Sequence, residues 1–234
     1  MTKRSRTQHP DGRGVGRMRV LIAGATGTVG QHVVAQALER GHEVTALARR
    51  PESLHVEHSR LRSVAADILD PDALETLLDG VDAVVSTVGI GTSRQPTTLY
   101  SEGTRNLVNG MARHGVTRIV TISSEVADHW AHQPPLKLWV LLPLLQRFFG
   151  ATYDDMRRMD IVLWESDAQW TTVRAPYIRD RPGTGSYRIA TAGLVRRGFS
   201  ITAPDLATAL LDIAERHDLG RQFVFVAGAA REKE

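Results

Sequence analysis

The chain has 234 residues, 42 % of them hydrophobic, a formal charge of +3 at neutral pH and no cysteine. That length is normal for a single α/β sheet with a small appended region, and the apolar fraction is ample for a buried core. The missing cysteine excludes disulfides, thiolate metal sites and a cysteine nucleophile, and it suits a cytoplasmic protein.

The positive charge is concentrated at the start. Lys3, Arg4, Arg6, Arg13 and Arg17 face Asp11 alone in residues 1–17, a stretch with no apolar period. It reads as a disordered basic tail, with 18–234 as one folded domain and Met18 as an alternative start. The tail lacks the apolar core of a secretory signal. Because the basicity sits in the tail, it argues against a nucleic-acid partner. No segment reaches the roughly 18 to 20 uninterrupted apolar residues of a membrane span.

Residues 18–30, Met-Arg-Val-Leu-Ile-Ala-Gly-Ala-Thr-Gly-Thr-Val-Gly, predict a buried parallel strand, a phosphate-gripping turn and the start of a helix. Gly24, Gly27 and Gly30 suit the chain reversal, the approach to a pyrophosphate and close helix–strand packing. The helix N-terminus supplies N–H donors and a partial positive charge. Further on, strands and helices alternate. Helix 28–40 ends at Gly41 and is followed by strands 43–48 and 61–66, then helix 71–79 before Gly80. Strand 82–87 leads into Val88-Gly89-Ile90-Gly91, then helix 97–114 and strand 117–122 ending at Ser123-Ser124. Helix 153–166, strand 170–174, a short strand 186–190, helix 204–216 and strand 222–226 complete the reading. The pattern is that of a Rossmann-type, doubly wound parallel sheet with a small C-terminal substrate-side region.

Residues 134–149 break the alternation: they are strongly apolar, with an internal proline at 143. Core packing or a subunit contact, a lid over an aromatic substrate, and peripheral membrane contact all remain open for this segment.

Arg49 and Arg50 follow the second strand, where an NAD-preferring protein usually carries an acidic residue for the ribose hydroxyls. A planar, always-charged guanidinium there suits the 2′-phosphate of NADP(H) instead. Asp67, ending the third strand, suits either the adenine amino group or a helix cap, although Asp70 is better placed for capping.

Gly24-Ala25-Thr26-Gly27-Thr28-Val29-Gly30, Pro96-Thr97-Thr98, Ser101 to Asn106, His114-Gly115-Val116 and Ser123-Ser124 follow in order along the chain. Asp154-Asp155, Arg158-Met159, Val162-Leu163, Glu165-Ser166, Ala175-Pro176-Tyr177-Ile178, Asp180-Arg181-Pro182 and Thr184-Gly185 continue the series. With these motifs the chain resembles the atypical short-chain dehydrogenase/reductases of the NAD(P)H-binding type. Within them it is most similar to the biliverdin-IXβ reductase/flavin reductase group. The resemblance implies that Gly24, Thr26, Gly27, Thr28 and Val29 meet the pyrophosphate and that Arg49 takes the 2′-phosphate. It also implies that Asp67 and Ile68 flank the adenine, that Val88 and Gly89 line the ribose, and that Ser123 and Ser124 lie near the nicotinamide. Pro176 and Tyr177 would then face its ring.

The chain departs from the wider family in lacking a Tyr-x-x-x-Lys pair, in which lysine lowers the tyrosine's pKa for proton transfer. Tyr153 and Arg157 share the spacing, but arginine does not easily replace lysine. The flavin-reductase-like proteins lack the pair as well. They carry a histidine where this chain has Tyr177, and Ile161 stands where relatives often have lysine. The pairs His55/His58 and His129/His132 have no evident third ligand and read as solvated, and Trp130, Trp139, Trp164 and Trp170 read as core. The expected function is an NADPH-dependent oxidoreductase passing hydride to a planar conjugated acceptor, with Ser124 and Tyr177 at the reacting end. A small-molecule aromatic partner and a monomer or homodimer are expected. The alternatives are a non-catalytic NAD(P)H sensor or interaction protein and, less favoured, an isomerase or epimerase.

Overall fold

The computed structural model describes residues 16–91, 95–127, 142–195 and 198–229. Its central sheet has eight strands in the order β3-β2-β1-β4-β5-β6-β10-β8. In chain order these are β1 Arg19–Ala23, β2 Glu43–Ala48, β3 Leu61–Ala65, β4 Ala83–Ser86, β5 Arg118–Ser124, β6 Gln169–Ala175, β8 Tyr187–Ala190 and β10 Gln222–Gly228. Every pairing is parallel except β8 on β10. The sheet is Rossmann-like, as the alternating sequence predicts.

The strands β1, β4 and β6 are buried almost end to end, because helices cover both faces and leave little side-chain alternation. One face packs on α1 (Gly30–Glu39) and α5 (Ala203–Ala214), with Val33, Val34, Leu206 and Leu210 in its core. The other packs on α2 (Pro71–Glu75), α3 (Leu99–Arg113) and α4 (Leu142–Glu165), around Leu74, Leu107, Leu163 and Trp170. Buried Arg118 on β5 donates to the Ile213 and Ala214 carbonyls that end α5 and to the Gln169 carbonyl. A cation there offsets the negative end of the helix dipole, while burial draws its own pKa down to about 10.

Four findings depart from the sequence reading. Helix α4 begins at Leu142, eleven residues before the predicted start at 153. Pro143 falls in its first turn, where a missing N–H costs no intrahelical bond, so it opens the helix and does not break it. The rest of the apolar 134–149 segment, 134–141, lies outside the described residues. Second, β7 (Tyr177–Arg179) and β9 (Ser200–Thr202) form a separate two-stranded parallel sheet on the C-terminal side. Third, Trp164 is 64 % exposed on the outer face of α4, whereas Trp170 is buried as expected; Trp130 and Trp139 lie outside the described residues. Helix α2 is also shorter than predicted, its last residues forming turns up to Gly80.

Sheet order positions the site. From β1 the chain builds outward through β2 and β3, then crosses back to place β4 on the other side of β1. The carboxyl ends on either side of that reversal diverge and leave a crevice.

Candidate functional site

The crevice is one cavity of about 960 Å³ running along the strand ends. All the sequence-predicted site residues line it: Gly24, Thr26, Gly27, Thr28 and Val29 at the β1–α1 turn, and Arg49 and Arg50 after β2. Asp67 and Ile68 follow β3, Val88 and Gly89 follow β4, and Ser123, Ser124, Pro176 and Tyr177 close the far end.

At the turn, Gly24 has φ +79°, and its N–H donates to the Leu47 carbonyl at 3.0 Å. A Cβ there would approach the Thr87 carbonyl carbon and the Val88 nitrogen to 2.9 Å, and one on Gly30 would run into the Gly24 carbonyl oxygen. The turn thus admits no side chain at positions 24 and 30, and it opens a helix whose start carries no side-chain cap. Such a cradle fits a dinucleotide pyrophosphate by both shape and polarity. Thr87, which the sequence reading passed over, ties β4 to this turn through its hydroxyl, 3.0 Å from the Ala23 carbonyl and 3.1 Å from that of Gly24.

Arg49 and Arg50 are exposed, and they are the only basic side chains among the described lining residues. Asp67 accepts the Leu69 N–H at 3.0 Å, so it shapes the turn it sits in. The helix-capping role belongs to Asp70, which accepts the Asp72 and Ala73 N–H groups. Buried Ile68 is steadied by Asn106, whose amide donates to its carbonyl at 3.1 Å. Across the cavity, the Ile90 N–H donates to the Tyr100 hydroxyl at 3.4 Å. Burial holds that phenol above its ordinary pKa, and the Asp155 charge pushes the same way.

At the β5–β6 end, Ser123 and Ser124 differ. The Ser123 hydroxyl accepts from buried Arg174 at 2.7 Å, and Arg174 is also paired with Asp160 at 2.6 Å. Ser124 Oγ instead accepts the Val126 N–H at 3.2 Å, so its own proton is free of that bond. Pro176 is buried, while Tyr177 is 75 % exposed at the mouth. Helix α4 adds Phe149, Thr152, Tyr153 and Met156, and the approach to β9 adds Phe199. None of these was singled out as a site residue apart from Tyr153. Phe149 and Thr152 reach the cavity through the upstream extension of α4, Tyr153 and Met156 through the part of α4 that the sequence predicts, and Phe199 through the β7–β9 pairing. Of the unanticipated ones only Phe149 carries a sequence signal, as the end of the apolar 134–149 segment for which a lid over an aromatic substrate is one reading.

Arg157 does not serve Tyr153. It pairs with Asp154 at 2.6 Å and donates to the Ala127 carbonyl at 3.3 Å. Burial raises the Tyr153 pKa, and the neighbouring Tyr100 adds to it, the reverse of what an activated phenol needs. The chain's three lysines, Lys3, Lys137 and Lys233, lie outside the described residues. His58 accepts the Arg60 N–H at 3.0 Å, and His129 and His132 also lie outside the described residues. Among the described residues no cluster of three His, Asp or Glu side chains could hold a metal ion, and no helix is long and apolar enough to cross a membrane.

A doubly wound parallel sheet, a glycine-rich turn at the first crossover and a cavity along the strand ends define a dinucleotide-binding protein of the Rossmann class. Residues 24–217 match the family model described as NAD(P)H-binding, and the chain belongs to that family. An uncharacterized protein of Mycobacterium tuberculosis is 30 % identical over 223 residues, covering 81 % of this chain and 25 % of its own length. The 3-beta-hydroxysteroid dehydrogenase of Mycolicibacterium neoaurum is 34 % identical over 117 residues, 45 % of this chain and 32 % of that protein. The chain therefore spans a third or less of the length of these two relatives. A short-chain dehydrogenase/reductase from Veillonella parvula, solved in complex with NADP, superposes with a TM-score of 0.74 at 17 % identity. That superposition covers 92 % of this chain and 97 % of the other, and it is a likeness of fold.

Proposed function

We propose that the protein is an NADPH-dependent reductase that passes hydride to a planar, conjugated acceptor such as a flavin, a quinone or a tetrapyrrole-like ring. The observation that carries this reading is one continuous cavity with unlike ends: the guanidinium pair Arg49/Arg50 at β2, and Phe149, Tyr153, Tyr177 and Phe199 at β5–β6. Preference for the phosphorylated cofactor rests on that pair, because its fixed charge and planar fork match a 2′-phosphate. The bound nicotinamide supplies one hydride, which with a proton from water leaves the acceptor reduced by two electrons.

The chain's own contribution is positional. The β1–α1 turn holds the pyrophosphate through its N–H groups, Asp67 and Ile68 flank the adenine, and Val88 and Gly89 line the ribose. Ser124 directs its free hydroxyl proton to the carboxamide or an acceptor carbonyl. Ser123, locked onto Arg174, keeps the β5 end rigid. Pro176 and Tyr177 face the ring, and the aromatic walls hold an acceptor parallel to it. Alignment of two reactants at contact distance removes much of the entropic barrier. Tyr153, its phenol pushed up by burial, is a wall and hydrogen-bonding group, and the proton comes from solvent. The narrower likeness to the biliverdin-IXβ reductase/flavin reductase group rests on the sequence motifs alone.

The test is NADPH absorbance with purified protein and a flavin or quinone, against an NADH control. Acceptor-dependent oxidation favouring NADPH is expected. Saturable NADPH binding with no oxidation by any acceptor would favour the second reading, a cofactor sensor, which the commitment of Arg157 to Asp154 motivates.

A further inference from the structure

The two ends of the cavity differ in charge as well as in shape. Arg49 and Arg50 stand at the end of β2, three strand spacings from β5, or about 14 Å. At the β5–β6 end the described lining residues include no Lys, Arg or His. The side-chain polar groups there are the hydroxyls of Ser123, which Arg174 engages, Ser124, Thr152, Tyr153 and Tyr177 and the Glu125 carboxylate. Thr152 Oγ1 is buried with no hydrogen-bond partner among the described residues. The mouth is aromatic: Tyr177 is 75 % and Phe199 70 % exposed, and they are neighbours because Tyr177 pairs with Ser200 between β7 and β9.

An anionic group entering such a wall gives up hydration and finds no counter-charge among the described lining residues. A neutral ring buries its faces against aromatic surface, and its carbonyls meet hydroxyl donors, Thr152 among them. We infer that the acceptor is an uncharged, planar polycycle with ring carbonyls, and that acceptors carrying phosphate, sulfonate or carboxylate are selected against. The inference rests on the reductase reading for its redox step. There the hydride and one water-derived proton add to the conjugated system, reducing it by two electrons as the nicotinamide is oxidised by two. The charge preference itself is a binding property and is readable without turnover.

The experiment uses two matched pairs on the full chain saturated with NADP⁺: riboflavin against FMN, and 1,4-naphthoquinone against its 2-sulfonate. Dissociation constants come from ligand or tryptophan fluorescence, with NADPH oxidation followed separately. The neutral member of each pair is expected to bind at least about ten-fold more tightly. Phe199→Arg, a change at an exposed mouth position, is expected to narrow the riboflavin–FMN gap by placing a cation where the described lining residues have none. Anionic ligands binding as well as neutral ones in either pair, or no binding by any of the four, overturns the inference. The neutral preference in binding without oxidation of NADPH by any acceptor leaves the inference standing and removes the reductase reading.

Discussion

Asp155, on α4, accepts the backbone N–H of Tyr100 at 2.8 Å and so closes the start of a different helix, α3. The same carboxylate accepts the Ser101 hydroxyl at 2.5 Å and the Ser101 N–H at 3.4 Å, and it pairs with Arg158 at 3.2 Å. Thr98, at the N-cap of α3, makes no capping bond of its own. The cap is therefore tertiary, and it fixes Tyr100, whose hydroxyl meets Ile90 beside the cavity. Replacing Asp155 by alanine leaves the two backbone N–H donors without an acceptor and the Arg158 charge without its counter-ion, at a cost of about 3 kcal/mol. Urea denaturation reads this directly. A loss below about 1 kcal/mol would show that α3 starts without this carboxylate.

Arg49→Glu tests the cofactor assignment. Reversing the charge beside a 2′-phosphate should weaken NADPH binding at least about ten-fold more than NADH binding. Titration of both cofactors by nicotinamide fluorescence gives the ratio, and equal losses would detach Arg49 from the phosphate.

At Gly24, positive φ and close backbone combine, so Gly24→Ala should cost about 2 kcal/mol or more of stability and abolish measurable NADPH binding. Gly115→Ala is the control. Its φ of +68° is similarly strained, but a Cβ there meets nothing within 4 Å and lies away from the cavity. It should lose about 1 kcal/mol and keep its cofactor affinity. Equal affinities in the two variants would show that the β1–α1 turn does not hold the cofactor.

Acid stability should turn on Asp205, which sits three residues after the Thr202 cap of α5. Burial alone would raise its pKa. Hydrogen bonds from the Thr184 and Gly185 N–H groups and the Thr202 and Thr184 hydroxyls outweigh that, and hold it below the ordinary 3.8. A carboxyl depressed on folding contributes its stability above its unfolded pKa and loses it as pH falls through the folded value. The melting temperature should therefore fall as pH drops below 3.8. Asp205→Asn should lower it at pH 6 and flatten the acid decline; an unchanged acid limb would assign that decline to other carboxylates.

What the sequence determined by itself was local chemistry. A left-handed turn calls for glycine at position 24 whatever surrounds it, and the end of a buried β2 places Arg49 at the sheet's edge wherever the sheet lies. The alternation of buried strands with helices likewise announced a parallel sheet, because a strand covered on both faces has no polar side. Only the tertiary structure decided the acceptor end. Thr152 and Phe199 belong to segments whose sequence says nothing of a cavity, and Phe149 ends the apolar 134–149 segment for which a lid is only one of three readings. They line it because α4 crosses the β5 end and β9 pairs with β7. The same holds for Asp155, which caps a helix 55 residues away in the chain, and for Trp164, apolar in sequence yet on the outer face of α4. Such placements depend on which surfaces meet once the sheet has closed its layers, and a one-dimensional pattern carries no record of that meeting.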